Sequence, residues 1–391
     1  MGPLAFSVGV GTLALATLAA TKLKSRYFRG AKARYSFRPA ALETGPLVSV
    51  IVPARNEETA VGLLLDGLVA QRYRDFEVIV VDDASEDATA RVVSEYAARD
   101  ARITLAPAGP LPPAWTGKCN ACRSGAALAK GEFLLFLDCD VRLDDPGVIG
   151  GLVSLAQAQG IDLFSLVPRQ VLGSPVERFA MPAVFAVLAT KFLPYRKVND
   201  PRSPKAAAIG QCLFFRRAAY DAIGGHEAVK SHIAEDMAFA SLVKSKGLRL
   251  VLLDGAASLS VRMYKSLSEI WHGWAKHIHA SASGGTAGLL WLEAVFALAF
   301  VAPPAVLLWA LVSLALRPTL YAGALFVLAL MVEFWGHKER LRNYRAMKWP
   351  RYYEPLFAPA TIFALALLAA SALQHARPNG LSWKGRRYSA N

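Results

Sequence analysis

Four long apolar runs constrain this chain more than any other feature of its sequence. They are Leu4–Ala20, Leu289–Leu316, Leu320–Trp335 and Leu356–Leu373. A membrane-spanning helix needs about 20 apolar residues, within a range of about 17 to 25, so the second and fourth runs are long enough and the other two are marginal. We expect four spans. The charges of the first run follow it rather than precede it, which favours an uncleaved anchor over a signal peptide.

The basic residues of the chain lie beside these apolar runs. Residues 22–38 carry seven basic and no acidic side chains, residues 338–351 six basic and one acidic, and residues 377–387 four basic and none acidic. The summed charge of these three stretches is larger than the net charge of +14 of the whole chain, so the rest of the chain carries a small net negative charge. This distribution excludes a basic nucleic-acid-binding face. It predicts an integral protein of a bacterial-type cell membrane, with residues 22–288 in the cytoplasm.

The carboxyl-terminal topology contains a conflict. Three spans after a cytoplasmic domain would place the tail 375–391 outside, although that tail is basic. Pro303 and Pro304 divide the second run, and a helix broken there could be a re-entrant or interfacial element. The sequence therefore leaves three spans and four spans open.

The segment between the membrane parts has the pattern of a soluble α/β domain. Three apolar runs, Leu47–Pro53, Phe76–Val81 and Phe133–Leu137, are typical of strands buried on both faces. Helical patterns beginning near Asn56 and Asp87 separate them, which favours a doubly wound, parallel sheet. We divide the chain into an anchor (1–21), a basic linker (22–44), the soluble domain (45–288), the carboxyl-terminal transmembrane helices (289–374) and a basic tail (375–391).

Acidic residues follow the second and third of these strands. In doubly wound sheets ligands bind outside the carboxyl ends of the strands, so Asp83, Asp138 and Asp140 should converge on one crevice. Asp138 and Asp140 are one residue apart, and on an extended chain both side chains leave on the same face. Oxygen ligands of this kind suit Mg2+ or Mn2+. An Asp-x-Asp pair alone is also typical of an ordinary polar turn.

Five motifs in one order give the chain a family resemblance. They are Val50–Glu57, Val81–Ser85, Asp138–Asp140, Gly224–His226 and the pair Glu235-Asp236. In this order and spacing they resemble inverting family-2 glycosyltransferases of the GT-A fold, over roughly Val48 to Lys276. The resemblance implies an α/β class with a doubly wound, mixed but mostly parallel GT-A sheet domain, here joined to transmembrane α-helices.

The resemblance also implies roles for individual residues. A UDP-sugar would be the donor, Mg2+ or Mn2+ the cofactor, and the reaction a metal-dependent hexosyl transfer with inversion by single displacement. Asp236 would be the general base. The donor-binding and metal-binding residues would be Pro53, Ala54, Arg55 and Glu57 around the nucleoside, Asp83 at the uracil, Lys118 at the diphosphate, Asp138 at the ribose or sugar, and Asp140 with Asp138 at the metal.

Further stretches indicate the subclass. The Gln-x-x-Arg-Trp motif of processive polysaccharide synthases is absent, and Arg262–Lys265, Ile270–His277, Gly284–Thr286 and Trp383–Tyr388 look like the carotenoid-acid (4,4'-diaponeurosporenoate) glycosyltransferases and their hopanoid-associated relatives. That resemblance implies transfer of a sugar, with glucose expected, to a membrane lipid such as a carotenoid or another polyisoprenoid. A base at Asp236 suits a hydroxyl acceptor, whereas a carboxylate acceptor needs none.

The lipid acceptor should meet the bilayer near residues 179–195. Phe179–Leu193 is apolar, too short to span, and followed by basic residues, which suits an interfacial helix; a buried core helix is the alternative. The residues that we expect at the acceptor are Glu235, His232, Trp271, Trp274 and Phe185.

Two other functions remain open from the sequence. One is a polyprenyl-phosphate sugar transferase, whose acceptor is already an anion, and the other is a catalytically degenerate membrane scaffold. Cys119 and Cys122 have no second pair at zinc-binding spacing, so we interpret them as ordinary helix-face cysteines. The sugar, the lipid, the choice between Mg2+ and Mn2+ and the oligomeric state are not determined by these patterns.

Overall fold

The chain divides into two compact units in a computed structural model that describes residues 34–192, 195–280, 285–375, 381–383 and 386–388. The sheet unit comprises the described parts of 31–171 and 193–263, and the helical unit those of 172–192 and 264–390. The predicted soluble segment 45–288 is therefore shared, because 172–192 and 264–288 group with the carboxyl-terminal helices. The predicted anchor 1–21 and most of the predicted linker lie outside the described residues.

The sheet unit is built on a seven-stranded sheet with the order β3-β2-β1-β4-β8-β6-β9. β8 runs antiparallel to both of its neighbours and the other pairs are parallel, so the mixed, mostly parallel sheet is confirmed. A smaller sheet has the order β5-β10-β7. The strands are β1 Val48–Ala54, β2 Phe76–Asp82, β3 Ile103–Pro107, β4 Phe133–Leu137, β5 Val141–Leu143, β6 Leu163–Val167, β7 Arg169–Gln170, β8 Cys212–Arg216, β9 Leu250–Asp254, β10 Leu259–Val261, β11 Leu381–Trp383 and β12 Arg386–Tyr388.

Helices cover the sheet and make up most of the helical unit. Short 3-10 helices lie at Gly225–Glu227 and Arg351–Leu356. The α-helices are α1 Val61–Val69, α2 Thr89–Ala97, α3 Gly117–Leu128, α4 Val148–Gln159, α5 Pro175–Phe192, α6 Tyr195–Val198, α7 Arg217–Ala222, α8 Glu235–Ser245, α9 Leu267–Ala280, α10 Gly285–Phe296, α11 Ala302–Leu316, α12 Leu320–Ala346 and α13 Phe357–His375.

The first predicted helix starts later than its sequence pattern indicates. We predicted a start near Asn56, but α1 begins at Val61, so that expectation is wrong. Asn56 has a φ of 52°, in the left-handed region, which an asparagine tolerates better than most residues. Its N–H donates to Ser85 Oγ (3.0 Å) and its Oδ1 accepts from the Glu86 N–H (2.9 Å). Bonds to a segment thirty residues away therefore fix this loop.

The outer edge of β9 is covered by chain segments from elsewhere in the unit. Ser36 forms a parallel bridge to Asp254, and the Phe37 N–H donates to Asp254 O at 2.8 Å. Asn199 donates from Nδ2 to Leu252 O (2.9 Å) and accepts from the Leu252 N–H at Oδ1 (2.7 Å). An uncovered edge strand exposes a row of unpaired backbone groups, and here those groups have partners.

Three helices of the helical unit are long and apolar enough to cross a membrane. They are Leu290–Leu316, Leu320–Ala346 and Arg351–Gln374, which match the second, third and fourth apolar runs. The first of them continues past Pro303 and Pro304, where a break was one of our expectations. A π-helical turn, Ala297–Val301, precedes α11, and the prolines occupy its first turn, where a backbone N–H is not needed.

Helix α5 contains the segment that we predicted to be interfacial. Its side chains Ala180, Met181 and Val184 are buried, and the helix packs against α9 and α13. Pro182 lies inside it. Within the helical unit α5 thus has one buried face, and both the interfacial and the core interpretation of this helix stay predictions.

The packing of α3 on the sheet gives a test of the core. Gly125 lies so close to β1 and β2 that an added Cβ would be 2.5 Å from Ile51 Cγ2 and 2.9 Å from Val81 Cγ2. We expect Gly125→Ala to lower the free energy of unfolding by about 1–3 kcal/mol, because both neighbours are stiff, buried, β-branched residues. Thermal unfolding of detergent-purified protein would measure this as a loss of a few degrees.

Gly62→Ala is the matched control in the same unit. A Cβ there would have its nearest neighbours at 3.7–3.9 Å, which is ordinary van der Waals contact, and alanine favours helix more than glycine does. This variant should unfold at or above the temperature of the unaltered protein. Equal effects at both positions would contradict the close packing of α3.

Candidate functional site

The Asp138–Asp140 motif forms a tight turn directly after β4. The Val141 N–H donates to Asp138 O at 3.1 Å, which closes the turn. Our expectation of an extended chain through Asp138 and Asp140 is therefore wrong, since the strand ends at Leu137. Cys139 Sγ donates to Pro53 O at 3.3 Å and joins the turn to the end of β1.

A lysine bridges two acidic residues beside this turn. Lys118 lies in the first turn of α3, and its Nζ is 2.8 Å from Asp138 Oδ1 and 2.7 Å from Glu235 Oε1. Burial alone would lower the pKa of Lys118, but the charges of Asp138 and Glu235 raise it well above its ordinary value. Glu235 is only 6% exposed. The ammonium therefore stabilises two negative charges that would otherwise repel each other.

The two acids of the motif have different environments. Asp140 Oδ1 is buried and has no hydrogen-bond partner among the described residues. Burial, followed by the charges of Asp138 and Glu57, raises the pKa of Asp140 to about 8. An unpartnered, buried carboxylate oxygen near other acids is a site that a divalent cation with oxygen ligands fits. In the described ranges no group of three or more His, Cys, Asp and Glu could hold a metal ion.

Asp236 is fixed at the start of α8 by two backbone donors. The Gly210 N–H donates to its Oδ2 and the Met237 N–H to its Oδ1, each at 2.8 Å. Burial and the neighbouring charge of Glu235 raise the pKa of Asp236 to about 7, although Lys118 and the two donors act in the opposite direction. A carboxylate with this pKa and with free lone pairs can accept a proton near neutral pH.

Gly210 is a residue of this site that the sequence analysis missed. A Cβ at this position would lie 3.2 Å from Lys118 Nζ, 3.3 Å from Glu235 Oε1 and 3.4 Å from Asp236 Oδ2. Glycine therefore lets the backbone approach all three charged groups closely. No pattern in the sequence around Gly210 indicates this, because the neighbours come from α3 and α8.

The predicted nucleoside residues come together at the ends of β1 and β2. The Asp83 N–H donates to Ala54 O, and Arg55 Nη1 donates to Asp83 O, both at 2.8 Å. The Glu57 N–H donates to Thr89 Oγ1, also at 2.8 Å. These bonds join the two loops that follow the strands into one surface. Asp83 itself is 6% exposed.

The Gly224–His226 motif packs the core beside this site. Burial lowers the pKa of His226 to about 3, and its Nδ1 is 2.8 Å from Tyr220 Oη. Gly224 and Gly225 have φ values of 82° and 51°. A Cβ on Gly225 would meet the Tyr220 ring at 2.7 Å. The motif therefore fixes a neutral histidine among aromatic rings.

The residues predicted at the acceptor fall into two groups. In the helical unit, the Phe185 ring lies 5.9 Å from the Trp274 ring and stacks at 5.9 Å on Trp349, and Trp271 lies 5.7 Å from Phe363. In the sheet unit, Glu235 pairs with Lys118, and His232 lies in the exposed loop before α8. Trp349 is an aromatic neighbour that the sequence analysis missed.

Comparisons with known proteins agree with this architecture. Residues 49–224 match the family model described as glycosyl transferase family 2. The 4,4'-diaponeurosporenoate glycosyltransferase of Staphylococcus aureus is 30% identical over 252 residues, which is 63% of this chain and 65% of that protein. The corresponding protein of Staphylococcus haemolyticus is 31% identical over 244 residues, 62% of this chain and 63% of that protein. The alignment thus spans less than two thirds of the length of these relatives.

A solved structure shares the fold. It is that of a mannosyltransferase from Pyrobaculum calidifontis in complex with GDP-Man and Mn2+. The two chains superpose with a TM-score of 0.52 and 21% sequence identity, and the match covers 93% of this chain and 98% of the mannosyltransferase chain. The seven-stranded mixed sheet therefore has the arrangement of GT-A glycosyltransferases. Residues 49–224 are therefore similar to family-2 glycosyltransferase domains, and the described part of the chain also contains three helices of membrane-spanning length.

Proposed function

We propose that this protein transfers a sugar, expected to be glucose, from a UDP-sugar to the hydroxyl group of a membrane lipid such as a carotenoid or another polyisoprenoid. The observation that carries the proposal is Asp236, a carboxylate with a pKa of about 7 that is held by the Gly210 N–H beside Lys118 and Glu235. The match to the family model and the names of the Staphylococcus relatives support the reaction class.

The reaction is a single displacement at the anomeric carbon. Asp236 accepts the proton of the lipid hydroxyl while that oxygen forms a bond to the anomeric carbon. The bond from the anomeric carbon to the diphosphate oxygen breaks, and its electron pair leaves with UDP. Because no enzyme nucleophile takes part, the configuration inverts.

Lys118 and Asp138 act on the donor side. The Lys118 ammonium lies within 2.8 Å of both its carboxylate partners, and it is the cation that we assign to the donor diphosphate. Its positive charge stabilises the negative charge that develops on the departing UDP. Asp138 contacts the ribose or the sugar, and Asp83, Pro53, Ala54, Arg55 and Glu57 surround the nucleoside.

A divalent cation completes the site. Asp140, with its unpartnered buried oxygen, would hold the cation together with Asp138. Bound Mg2+ or Mn2+ supplies positive charge for the diphosphate as a leaving group. The Pyrobaculum mannosyltransferase was solved with Mn2+, which supports testing this ion first.

The helical unit binds the bilayer and the lipid. Its three helices of spanning length and the rings of Phe185, Trp274 and Trp349 provide apolar and aromatic surface for an isoprenoid chain. Aromatic side chains are favoured where an apolar body meets a polar interface. The catalytic sheet unit would then face the cytoplasm.

Donor cleavage by detergent-purified protein tests the proposal directly. We expect UDP release from UDP-glucose to require Mg2+ or Mn2+ and to rise when extracted lipids are added. Asp236→Asn should lower the lipid-dependent rate by about 10²–10⁴-fold, because the acceptor loses its base. Asp140→Ala should abolish the response to metal, and mass spectrometry would identify the product.

Assays with several donors and several acceptors distinguish this proposal from a polyprenyl-phosphate sugar transferase and from a catalytically degenerate scaffold. GDP-mannose serves as a second donor because the Pyrobaculum mannosyltransferase was solved with GDP-Man. Polyprenyl phosphate and carotenoid alcohols and acids serve as acceptors. If only polyprenyl phosphate accepts the sugar, the acceptor group is a phosphate and not a hydroxyl. If no donor releases its nucleotide, the scaffold function is favoured.

The raised pKa of Asp236 predicts the pH dependence of turnover. Its folded-state pKa of about 7 means that the carboxyl group is protonated, and cannot accept a proton, at lower pH. At saturating metal and donor, kcat should fall about tenfold per pH unit below about pH 7. The residual rate of Asp236→Asn should lack this dependence. A midpoint near the ordinary aspartate pKa would contradict the assignment of the base.

The aromatic cluster predicts a variant that affects only the acceptor. Phe185→Leu keeps an apolar side chain but removes ring contacts with Trp274 and Trp349, which are worth about 0.5–1.5 kcal/mol each. We expect the KM for lipid to rise roughly three- to tenfold while UDP-sugar hydrolysis in water is unchanged. Phe334→Leu, at a ring that is 56% exposed, is the control. Equal losses of transfer and hydrolysis would point to misfolding instead.

A further inference from the structure

Lys244 has an unusual set of partners at the carboxyl-terminal end of α8. Its Nζ donates to the backbone carbonyl oxygens of Lys205 at 2.7 Å, Asp200 and Ser203 at 3.0 Å and Lys197 at 3.4 Å. A lysine ammonium has three N–H donors and is normally strongly hydrated. Here carbonyl oxygens from one segment, residues 197–205, take the place of that water.

Within residues 200–205 of this segment the other hydrogen bonds are local: the Arg202 N–H donates to Asp200 Oδ1 (2.9 Å), the Ser203 N–H to Asp200 O (3.1 Å) and the Lys205 N–H to Ser203 Oγ (3.2 Å). After α6 ends at Val198 the segment contains no further helix or strand before β8. The side chains of Pro201, Arg202, Pro204 and Lys205 are exposed, so they contribute little apolar burial. The hydrogen bonds from Lys244 attach residues 200–205 to α8.

The flanks of the segment are fixed at two places in the sheet unit. Near its start, the Asn199 side chain pairs with Leu252 on β9. After it, the Ile209 N–H donates to Ser165 Oγ at 2.7 Å, and the next residue, Gly210, donates to Asp236. Residues 206–208 join this segment to Ile209 and Gly210, and the Gly210 N–H binds the proposed base.

Helix α8 contacts residues 197–210 at both ends of that range. Asp236 and Lys244 are eight residues apart on α8, which corresponds to about 12 Å along a helix axis. Asp236 binds Gly210 at one end, and Lys244 binds residues 197–205 at the other. A lysine near a helix carboxyl terminus is also favoured by the helix dipole, but the recorded bonds of Lys244 go to another segment and not to its own helix.

We infer that Lys244 is a positioning residue for the proton-transfer step. By holding the carbonyl groups of residues 197–205, it keeps the Gly210 N–H on Asp236. This inference rests on the proposed function. It assigns Lys244 an effect on the rate of transfer and none on donor binding, because the side chain donates to residues 197–205 and, among the described residues, makes no hydrogen bond to the proposed donor residues or to Asp236.

The test compares Lys244→Met with Lys246→Met. Lys246 is an exposed lysine two residues further along, so the control removes the same charge from the same end of α8. Limited trypsin digestion in detergent reports the segment directly, since Arg202 and Lys205 are cleavage sites inside it. We expect cleavage after these residues to be at least about tenfold faster in Lys244→Met than in the control.

Kinetics of the same proteins report the effect on Asp236. In Lys244→Met, kcat should fall by about tenfold or more, since small displacements of reacting groups are costly, while the donor KM stays within about twofold. The acid limb of kcat should move to higher pH, because Asp236 loses an N–H donor while Glu235 and Lys118 still face it. Lys244→Arg, which keeps N–H donors, should restore part of kcat.

Two results would overturn the inference. One is trypsin cleavage and kcat in Lys244→Met equal to those of Lys246→Met. The other is faster cleavage with unchanged kcat and an unchanged acid limb, which would mean that the segment is held but does not act on Asp236. If the unaltered protein transfers no sugar, the proposed function fails, and the trypsin comparison still decides whether Lys244 holds the segment.

Discussion

The ion pairs of Lys118 with Asp138 and Glu235 are the interaction on which the rest of the site depends. They join the start of α3, the turn after β4 and the start of α8, three elements that are far apart in the sequence. Removing Lys118 would leave both acidic side chains without their counter-charge, and Glu235 is almost fully buried, so this loss would be destabilising. Gly210 is part of the same constraint, because a Cβ there would lie within 3.4 Å of all three charged side chains and would require them to shift.

The sequence predicted much of the sheet and little of what connects its parts. β1, β2 and β4 were predicted because Val50, Ile79 and Leu135 belong to apolar runs that are typical of strands buried on both faces. The helix start at Asn56 and the extended Asp138–Asp140 pair were wrong, since both segments are turns closed by hydrogen bonds. Periodicity reports burial, whereas such bonds depend on the local backbone and on residues distant in the sequence.

The predicted site residues illustrate the same limit. The motifs around Asp138 and Asp236 were found because each is a short, recognisable pattern, but no pattern indicates that Glu235 pairs with Lys118. The apolar runs of the helical unit were predicted from length alone, and three of them are helices of spanning length. The position of Trp349 beside Phe185 could not be predicted, because it depends on the packing of elements more than 150 residues apart.

The covered edge of β9 has a consequence for how the sheet unit can be handled. Residues 35–37 and Asn199 occupy backbone groups that another strand would otherwise pair with, and unpaired edges are templates for aggregation. A shortened protein that starts at the predicted domain boundary, residue 45, would lose residues 35–37 and expose part of that edge. Recombinant versions of the sheet unit should therefore begin before Tyr35, even though this requires keeping part of the basic stretch.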